Sequence, residues 1–249
     1  MSQRSNPILD GLRVAVTGGT SGLGLALVEA LREGGAEVAF VARHGERVQE
    51  IARRLPGTHG IAGDVSHQEE THRIALRINA ALGGLDVLIN NASSLGPVPL
   101  APLADTPCED LELALATNLV GPFRLTKALL GALAASARQG RPALVINITS
   151  DAAVTPYAGW GAYGASKAAL LHLSRIWDEE LRPHGVRVLA VDPGDMDTPL
   201  HALAVPDADP TTLKRPAEPA REIVERIAAF AQERSTQDET RREGIAASA

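Results

Sequence analysis

The chain has 249 residues and a formal net charge of −6 at pH 7. This acidic balance, without a basic stripe, argues against a nucleic-acid-binding surface, and a single cysteine excludes an intrachain disulfide. Apolar residues make up 45% of the chain, enough for a sizeable core, but no apolar run is long enough for a membrane span and we expect no signal sequence. The composition therefore predicts a cytoplasmic protein without a membrane partner.

The first strongly patterned stretch begins at Leu12. An apolar run typical of a buried strand is followed by a helical pattern over 22–33, and between them stand Gly18, Gly22 and Gly24 at GxxxGxG spacing. A strand, a glycine turn and a helix present backbone N–H groups to a pyrophosphate. No GK[ST] follows, which argues against a Walker-type site. The stretch predicts dinucleotide binding; the alternative is an ordinary glycine-rich turn.

The second predicted strand, 36–42, bears on the choice of dinucleotide. In such folds an acid at the end of this strand binds the ribose 2′-hydroxyl of NAD, whereas an arginine nearby accommodates the 2′-phosphate of NADP. Glu37 stands at the wrong end of the strand and Glu46 lies past the turn, but Arg43 follows the strand directly. A guanidinium there can grip a phosphate with two hydrogen bonds. We therefore expect NADP(H) to be preferred over NAD(H), unless Arg43 is only a surface residue.

Strand-like and helix-like runs alternate along the rest of the chain, without hairpin signals. Strands are predicted at 12–17, 36–42, 58–63, 85–90, 142–149 and 185–192, and helices at 22–33, 45–54, 67–82, 109–138 (with a break near Asn118), 160–182 and 217–233. This alternation predicts an α/β fold: a single Rossmann-type, doubly wound parallel sheet with helices on both faces, spanning 1–249 as one catalytic domain. The proline-rich stretch 193–216 is expected to be a substrate loop, and 232–249 a flexible tail.

Tyr163 and Lys167 carry the strongest chemical signal, because they stand four residues apart in a predicted helix. This spacing puts a phenol and an ammonium on one helical face. Two unit charges about 4 Å apart attract by roughly 4 kcal/mol at an effective dielectric of about 20, which corresponds to about three pKa units. We therefore expect Lys167 to lower the pKa of Tyr163 toward neutrality, as acid–base catalysis requires. Taken alone, the pair also suits a half-buried tyrosine beside a solvated lysine.

Further motifs accompany this pair, and over residues 10–230 the chain resembles the short-chain dehydrogenase/reductase family. The motifs occur in the family's order: TGGTSGLG at 17–24, Asp64-Val65, Asn90-Asn91-Ala92, Asn118, Ser150, Tyr163 with Lys167, and Pro193-Gly194 with Thr198. The resemblance implies a catalytic set of Asn118, Ser150, Tyr163 and Lys167. It implies cofactor contacts from Thr17, Gly18, Ser21, Gly22, Leu23, Gly24, Arg43, Asp64, Val65, Asn90, Ala92, Tyr163, Lys167, Pro193, Gly194 and Thr198.

By this resemblance the chain would reduce a ketone or aldehyde with NADPH, or run the reverse reaction. Tyr163 would give its proton to the carbonyl oxygen while Ser150 holds that oxygen. Lys167 would bind the ribose of the nicotinamide, and Asn118 would anchor a water that links Lys167 to solvent. One alternative is a non-catalytic NADP-binding relative, although the Ser-Tyr-Lys set is intact. Another is the family's epimerase or dehydratase branch, whose larger C-terminal domain this length leaves no room for.

The chain departs from the family pattern in two places. Ser93 replaces the usual glycine of NNAG, which puts a side chain where the backbone approaches the cofactor. In addition, the residues after 233 contain no strand-like run, so a well-formed seventh strand is expected to be missing. In the family that strand helps to build a tetramer interface. We therefore expect a homo-oligomer that is a dimer, formed through the long helices that carry Asn118 and Tyr163.

Residues near the catalytic set bear on the small-molecule substrate. Trp160 either walls the pocket or packs in the core, and Asp151 either faces the substrate or is simply solvated. In the 193–216 loop, Asp195 and His201 are candidates for reading polar groups, while three apolar residues are candidates for covering an apolar ligand: Met196, Leu200 and Leu203. Scattered histidines and one cysteine predict no metal site.

Overall fold

The structure, a computed structural model, describes the backbone of residues 9–246 and the side chains of 9–234 and 236. Its strands are β1 (Arg13–Thr17), β2 (Glu37–Ala42), β3 (Thr58–Ala62), β4 (Val87–Asn90), β5 (Leu144–Ile148) and β6 (Arg187–Val191). Its α-helices are α1 (Gly22–Glu33), α2 (Gly45–Arg54), α3 (Gln68–Leu82), α4 (Cys108–Leu115), α5 (Gly121–Arg138), α6 (Gly161–Leu181), α7 (Pro199–Ala204) and α8 (Ala217–Ala246).

All strand pairs are parallel, in the order β3-β2-β1-β4-β5-β6. Val14 of β1 pairs with Val38 of β2 on one side and with Val87 of β4 on the other. The strand order therefore reverses between β1 and β4, and the crevice beyond the carboxyl ends of strands at such a switch point is where ligands bind. The predicted fold class is confirmed, and residues 9–246 contain no seventh strand.

The sheet buries an apolar layer on each face because its strands alternate. Val14 and Val16 of β1 pack with α1, α2 and α8, whereas Ala15 points into the layer formed with α3 and α5. Apolar residues recur at helical spacing on the packing faces of these helices, as the doubly wound prediction requires. They include Leu27, Val28 and Leu31 of α1, Ile223 and Ile227 of α8, Ile74 and Ile78 of α3, and Leu125, Leu129 and Leu133 of α5.

The predicted helix 109–138 is divided by a π-helical segment, Ala116–Val120, that contains Asn118. The N–H of Gly121 bonds to the carbonyl of Ala116, five residues earlier. Pro122 has no N–H, so the carbonyl of Asn118 cannot accept the α-helical bond from the residue four positions later. The helical turn contains one additional residue here, and the helix continues as α5. The expected break is therefore a π-helical turn.

Two segments contain more helix than predicted. The 193–216 loop includes α7, whose first turn is capped by Thr198, since its Oγ1 accepts from the N–H of His201 at 3.1 Å. Residues 234–246, expected to belong to a flexible tail, continue α8 to Ala246, because the segment has no proline and is rich in good helix formers. Residues 247–249 lie outside the described residues. Neither α8 nor any other helix within 9–246 is long and apolar enough to cross a membrane.

A buried ion cluster holds the amino-terminal edge of the sheet. Asp86 directly precedes β4, is 0% exposed, and accepts from Nη2 of Arg13 at 2.7 Å and from Nη2 of Arg141 at 2.6 Å. Burial by itself would raise the pKa of Asp86, but the hydrogen bonds from Arg141 and Arg13 hold it well below its usual range. Arg13 begins β1 and Arg141 precedes β5, so this carboxylate ties together three adjacent strands.

We expect Asp86→Ala to lower the free energy of unfolding by roughly 3–5 kcal/mol, because it leaves two arginines without their buried partner. The folded-state pKa is depressed, so this stabilisation is complete above about pH 5 and is lost as the pH falls below that value. Urea denaturation of both proteins across this range measures it. Glu29→Ala, which breaks the exposed pair with Arg54, is the control and should cost at most about 1 kcal/mol. A difference between wild type and Asp86→Ala that stays constant down to acid pH would contradict the assignment.

Candidate active site

The carboxyl ends of the strands open into a cleft of about 660 Å³. Because all strands are parallel, the segments that follow them meet at one edge of the sheet. They contribute the glycine turn after β1, Arg43 after β2, Asp64 and Val65 after β3, Ala92 and Ser93 after β4, Ser150 after β5, and Pro193 and Gly194 after β6. Tyr163 and Lys167 of α6, together with Thr198, complete the wall.

The glycine turn leaves space that a side chain would fill. Gly22 has a φ of +50°, and a Cβ on Gly24 would collide with the carbonyl oxygen of Gly18. The first turn of α1 contains no acidic residue and Ser21 makes no side-chain cap, so neither of these groups occupies the N–H groups of that turn. Ser21, Gly22, Leu23 and Gly24 all line the cleft. A helix N-terminus in this state suits a pyrophosphate, so the residues fit a dinucleotide.

Thr17 and Asn90 lie behind the cleft wall, and their side chains bond to protein groups. Thr17 is 2% exposed, and its Oγ1 accepts from the N–H groups of Asn91 and Ala92, both at 3.0 Å. Asn90 Nδ2 donates to Asn147 Oδ1 of the neighbouring strand at 2.8 Å. Any effect of Thr17 or Asn90 on a cofactor therefore has to be indirect.

Asn91 does line the cleft, although it was not among the predicted contacts. Its Nδ2 donates to the backbone oxygen of Thr17 at 2.9 Å, which fastens the glycine turn to the end of β4. The NNA motif itself was the signal that could have found it.

Arg43, Asp64 and Val65 lie together at the far end of the cleft, beyond β2 and β3. Arg43 is exposed, follows the last residue of β2, and makes no ion pair among the described residues. Glu37 is the first residue of β2, so no acid stands at the carboxyl end of that strand. Asp64 and Val65 line the same end, and Asp64 Oδ1 accepts from the backbone N–H and hydroxyl of Ser66 at 2.9 and 2.7 Å.

Ser150, Tyr163 and Lys167 meet at the other end of the cleft. Tyr163 and Lys167 occupy one face of α6, as their spacing predicts, and are 8% and 2% exposed. Lys167 Nζ donates to the carbonyl oxygen of Ile148, the last residue of β5, at 2.8 Å and lies 5.4 Å from the centre of the Tyr163 ring. The end of a core strand thus fixes the ammonium beneath the tyrosine.

The expected acidification of Tyr163 is wrong for this structure. Burial raises the pKa of Tyr163 to about 12, and the hydroxyls of Ser150 and Ser93 offset this only in part. Burial also lowers the pKa of Lys167 to about 8. Attraction between the two charges alone would lower the pKa of Tyr163, but both groups lose their hydration here. At neutral pH the tyrosine is therefore a neutral phenol, which is the form that can donate a proton.

Asn118 does not line the cleft; it is 0% exposed and braces the loop that follows β4. Its Oδ1 accepts from the N–H of Ser94 at 2.8 Å and from the hydroxyl of Ser93 at 3.2 Å. Its Nδ2 donates to the backbone oxygen of Ser94 and to the hydroxyl of Ser166, both at 2.8 Å. Ser93, the departure from the family motif, therefore fits the backbone and gives Asn118 an additional hydrogen bond.

Asp151 and Tyr157 form a polar group beside Ser150. Asp151 Oδ1 accepts from the Ser150 hydroxyl at 2.9 Å, and its Oδ2 accepts from the Tyr157 hydroxyl at 2.7 Å. All three residues line the cleft. The role of Asp151 stays open from sequence alone, and Tyr157 was not among the predicted residues, although the chain has only two tyrosines and the other is Tyr163.

The predicted substrate loop covers this end of the cleft. Leu200 packs against a small apolar cluster that includes Tyr163 and Trp160. The rings of Trp160 and Tyr163 meet edge-on at 5.7 Å, and Trp160 also lines the cleft, so it both packs and walls the site. His201 lines the cleft as well. Within the described residues, no three His, Cys, Asp or Glu side chains are grouped so that they could hold a metal ion.

Known proteins resemble this chain in both sequence and structure. A sequence model described as short chain dehydrogenase matches residues 13–209. Serine 3-dehydrogenase of Rhizobium radiobacter is 33% identical over 187 residues, which cover 74% of this chain and 72% of that enzyme. Glucose 1-dehydrogenase of Gluconobacter oxydans (strain 621H) is 32% identical over 238 residues, which cover 91% of this chain and 87% of that enzyme.

A solved structure of a short chain dehydrogenase from Shigella flexneri 2a strain 301, complexed with NADP, has a TM-score of 0.79 to this chain. It is 26% identical and the match covers 86% of this chain and 90% of that one.

Proposed function

Because the chain belongs to the short-chain dehydrogenase family, a family of oxidoreductases that act on CH–OH groups, we propose that it reduces a ketone or aldehyde with NADPH. The observation that carries the proposal is the meeting of Ser150, Tyr163 and Lys167 on one wall of a cleft whose other end has a glycine turn fit for a pyrophosphate. The intact set of three favours an enzyme over a non-catalytic relative.

Tyr163 is the proton donor of this proposal. NADPH, when bound, supplies a hydride to the carbonyl carbon, and negative charge develops on the carbonyl oxygen. The neutral phenol of Tyr163 donates its proton to that oxygen, and the Ser150 hydroxyl stabilises the charge by a hydrogen bond. Lys167, with a pKa lowered by burial to about 8, is mostly cationic at neutral pH and stabilises the phenolate that remains.

We assign Asn118 two roles: it positions the site, and it helps to replace the proton that Tyr163 donates. Its side chain holds the loop after β4 against α6 through Ser94 and Ser166, which keeps that wall of the site in place. Its backbone carbonyl lacks the usual α-helical donor because residue 122 is proline. That carbonyl can accept from a water, and we assign it the anchoring of the water between Lys167 and solvent.

The test of the proposed function is NADPH consumption with a panel of ketones, aldehydes and diketones, followed by the fall in absorbance of the reduced cofactor. We expect turnover with at least one class of carbonyl compound. NADPH binding without turnover on the whole panel would favour the non-catalytic alternative instead.

Arg43 is our candidate for the residue that makes the enzyme prefer NADPH over NADH, supported by its position after β2 and by a guanidinium that makes no ion pair within the described side chains. Since hydrogen bonds to charged groups contribute about 1.5–3 kcal/mol, Arg43→Ala should weaken NADPH binding roughly 10- to 100-fold and leave NADH binding little changed. Calorimetric titration with both cofactors measures this. Arg47→Ala is the control, because Arg47 is a neighbouring arginine already paired with Glu50 at 2.7 Å. Equal weakening of NADPH and NADH binding in Arg43→Ala would contradict the assignment.

We further propose that the protein is a homodimer formed through α4, α5 and α6. These helices expose three large apolar side chains: Leu113 (43%), Phe123 (37%) and Ile176 (42%). The Phe123 ring stacks on Trp177 of α6 at 5.2 Å, so the patch spans two helices. An apolar patch of this kind is typical of a protein interface.

A charge in this patch should separate the subunits. We expect light scattering to give a dimer mass for the wild type and a monomer mass for Phe123→Glu, because a carboxylate cannot be buried there without a partner. Leu76→Glu, on an exposed position of α3 (70% exposed), should keep the dimer mass. A tetramer mass for the wild type would contradict the proposal.

A further inference from the structure

The carboxylate of Asp151 is held in a fixed position at the substrate end of the cleft. Its Oδ1 accepts from the Ser150 hydroxyl at 2.9 Å and from the N–H of Ala152 at 2.7 Å. Its Oδ2 accepts from the Tyr157 hydroxyl at 2.7 Å. Three donors on two oxygens leave little rotational freedom, and they leave one acceptor position of the four on a carboxylate open.

The same contacts keep Asp151 ionised. The hydrogen bond from Tyr157, followed by those from Ser150 and Ala152, holds the pKa of Asp151 below its usual range against the opposing effect of burial. Two further carboxylates, Asp192 and Asp195, line this end of the cleft. Of the cations in this region, Lys167 is buried and donates to the carbonyl oxygen of Ile148, and Lys214 Nζ lies beside Gly194. A substrate group that reaches past Ser150 therefore meets the ionised carboxylate of Asp151 directly.

Substrate binding must break one of these hydrogen bonds. To stabilise a carbonyl oxygen, Ser150 has to turn its one hydroxyl proton from Asp151 to the substrate. Asp151 Oδ1 then keeps only the N–H of Ala152 as a donor, while it stays within reach of whatever group lies next to the carbonyl, since Ser150 Oγ is only 2.9 Å away. An ionised carboxylate deprived of a donor in a site that the substrate has closed is unfavourable. A donor on the substrate itself would replace the bond that Ser150 gave up.

We propose that Asp151, positioned by Tyr157, selects substrates that carry a hydroxyl or amino group on the carbon next to the carbonyl. A substrate whose carbonyl is bonded directly to a carboxylate is rejected, because that carboxylate meets a fixed negative charge and offers no donor. This rests on the proposed function and deepens it by naming the substrate class: α-hydroxy or α-amino carbonyl compounds, not 2-oxo acids. Asp151 is exposed, so water competes for it in the free enzyme, which limits the selectivity.

Three phenyl ketones of nearly equal size test the proposal. α-Hydroxyacetophenone carries the hydroxyl, propiophenone has a methyl group in its place, and phenylglyoxylate has a carboxylate next to the carbonyl. For the wild type we expect kcat/KM for α-hydroxyacetophenone to exceed that for propiophenone about 10- to 100-fold, the range of one hydrogen bond to a charged group. Phenylglyoxylate should be the poorest of the three.

Variants separate the carboxylate from the rest of the site. Asp151→Asn keeps the shape and removes the charge, so the preference for α-hydroxyacetophenone over propiophenone should fall toward one and phenylglyoxylate should gain relative to both. Tyr157→Phe, which frees one carboxylate oxygen, should reduce the preference part of the way. Asp105→Asn makes the same change at an exposed position outside the cleft and should keep both ratios.

The outcomes distinguish this proposal from the one it rests on. A wild type that reduces propiophenone and α-hydroxyacetophenone equally well, or an Asp151→Asn variant that keeps the wild-type ratios, would overturn the role of Asp151 and leave carbonyl reduction standing. If neither these ketones nor the wider panel consume NADPH, the proposed function fails and this selectivity fails with it.

Discussion

Tyr163→Phe is expected to lower kcat for carbonyl reduction roughly 100- to 10,000-fold, the range that a positioned proton donor contributes. The substitution removes only the hydroxyl, and the ring that packs edge-on against Trp160 at 5.7 Å is retained. Cofactor affinity should therefore change little, since no contact of the glycine turn is altered. Steady-state kinetics together with calorimetric titration of NADPH separate the two effects.

The chain supplies its own control for this experiment. Tyr157→Phe removes the only other phenolic hydroxyl, from a residue that lies in the same cleft but touches Asp151 and not Lys167. Its loss of kcat should be far smaller than that of Tyr163→Phe. Near-normal turnover of Tyr163→Phe would refute the assignment of the proton donor, and a large loss of NADPH affinity in that variant would give the tyrosine a binding role instead.

Lys167→Met is expected to abolish most of the activity while the fold stays as stable as the wild type or becomes more stable. A buried ammonium costs free energy: burial lowers the pKa of Lys167 from 10.5 to about 8, a shift that corresponds to about 3 kcal/mol. Methionine fills a similar volume without a charge. It leaves the carbonyl of Ile148 without its donor, a loss of about 1–3 kcal/mol that offsets part of the gain.

The buried Lys167 should also make the stability of the wild type rise with pH. The unfolded chain holds the Lys167 proton up to about pH 10 and the folded chain only to about 8, so wild-type stability gains from this residue as the pH rises between those values. Thermal unfolding of Lys167→Met should lack that gain. Lys127→Met, at an exposed position of α5, is the control. A melting temperature of Lys167→Met far below that of the wild type at pH 7 would show that the ammonium stabilises the fold.

The positions of the helices and strands followed closely from local patterns. Alternation of short apolar runs with helical periodicity predicted six strands, and each is found within one or two residues of its expected bounds. This worked because a parallel sheet covered on both faces needs apolar strands whatever else the chain does. The convergence of the glycine turn, Ser150 and Tyr163 followed in turn, since the carboxyl ends of parallel strands share one edge.

The errors came from effects that depend on the folded environment. The spacing of Tyr163 and Lys167 placed them on one face correctly but could not reveal that both lose their hydration, so the direction of the Tyr163 pKa shift was wrong. Thr17 and Asn90 lie in the right motifs but point into the protein. The contact between Asp151 and Tyr157 joins residues separated by a loop, and no periodic sequence pattern predicts such a contact.

The ion cluster around Asp86 and the cleft occupy opposite edges of one rigid sheet, and this separation has a consequence for altering the enzyme. Changes at Asp86, Arg13 and Arg141 are expected to alter stability to heat or acid and to leave ligand binding little changed, since none of the three lines the cleft. Changes around Asp151 and the loop that covers it alter which compounds are accepted without touching those guanidinium contacts. Robustness and selectivity can therefore be adjusted in separate rounds of mutagenesis, and gains from the two rounds should add.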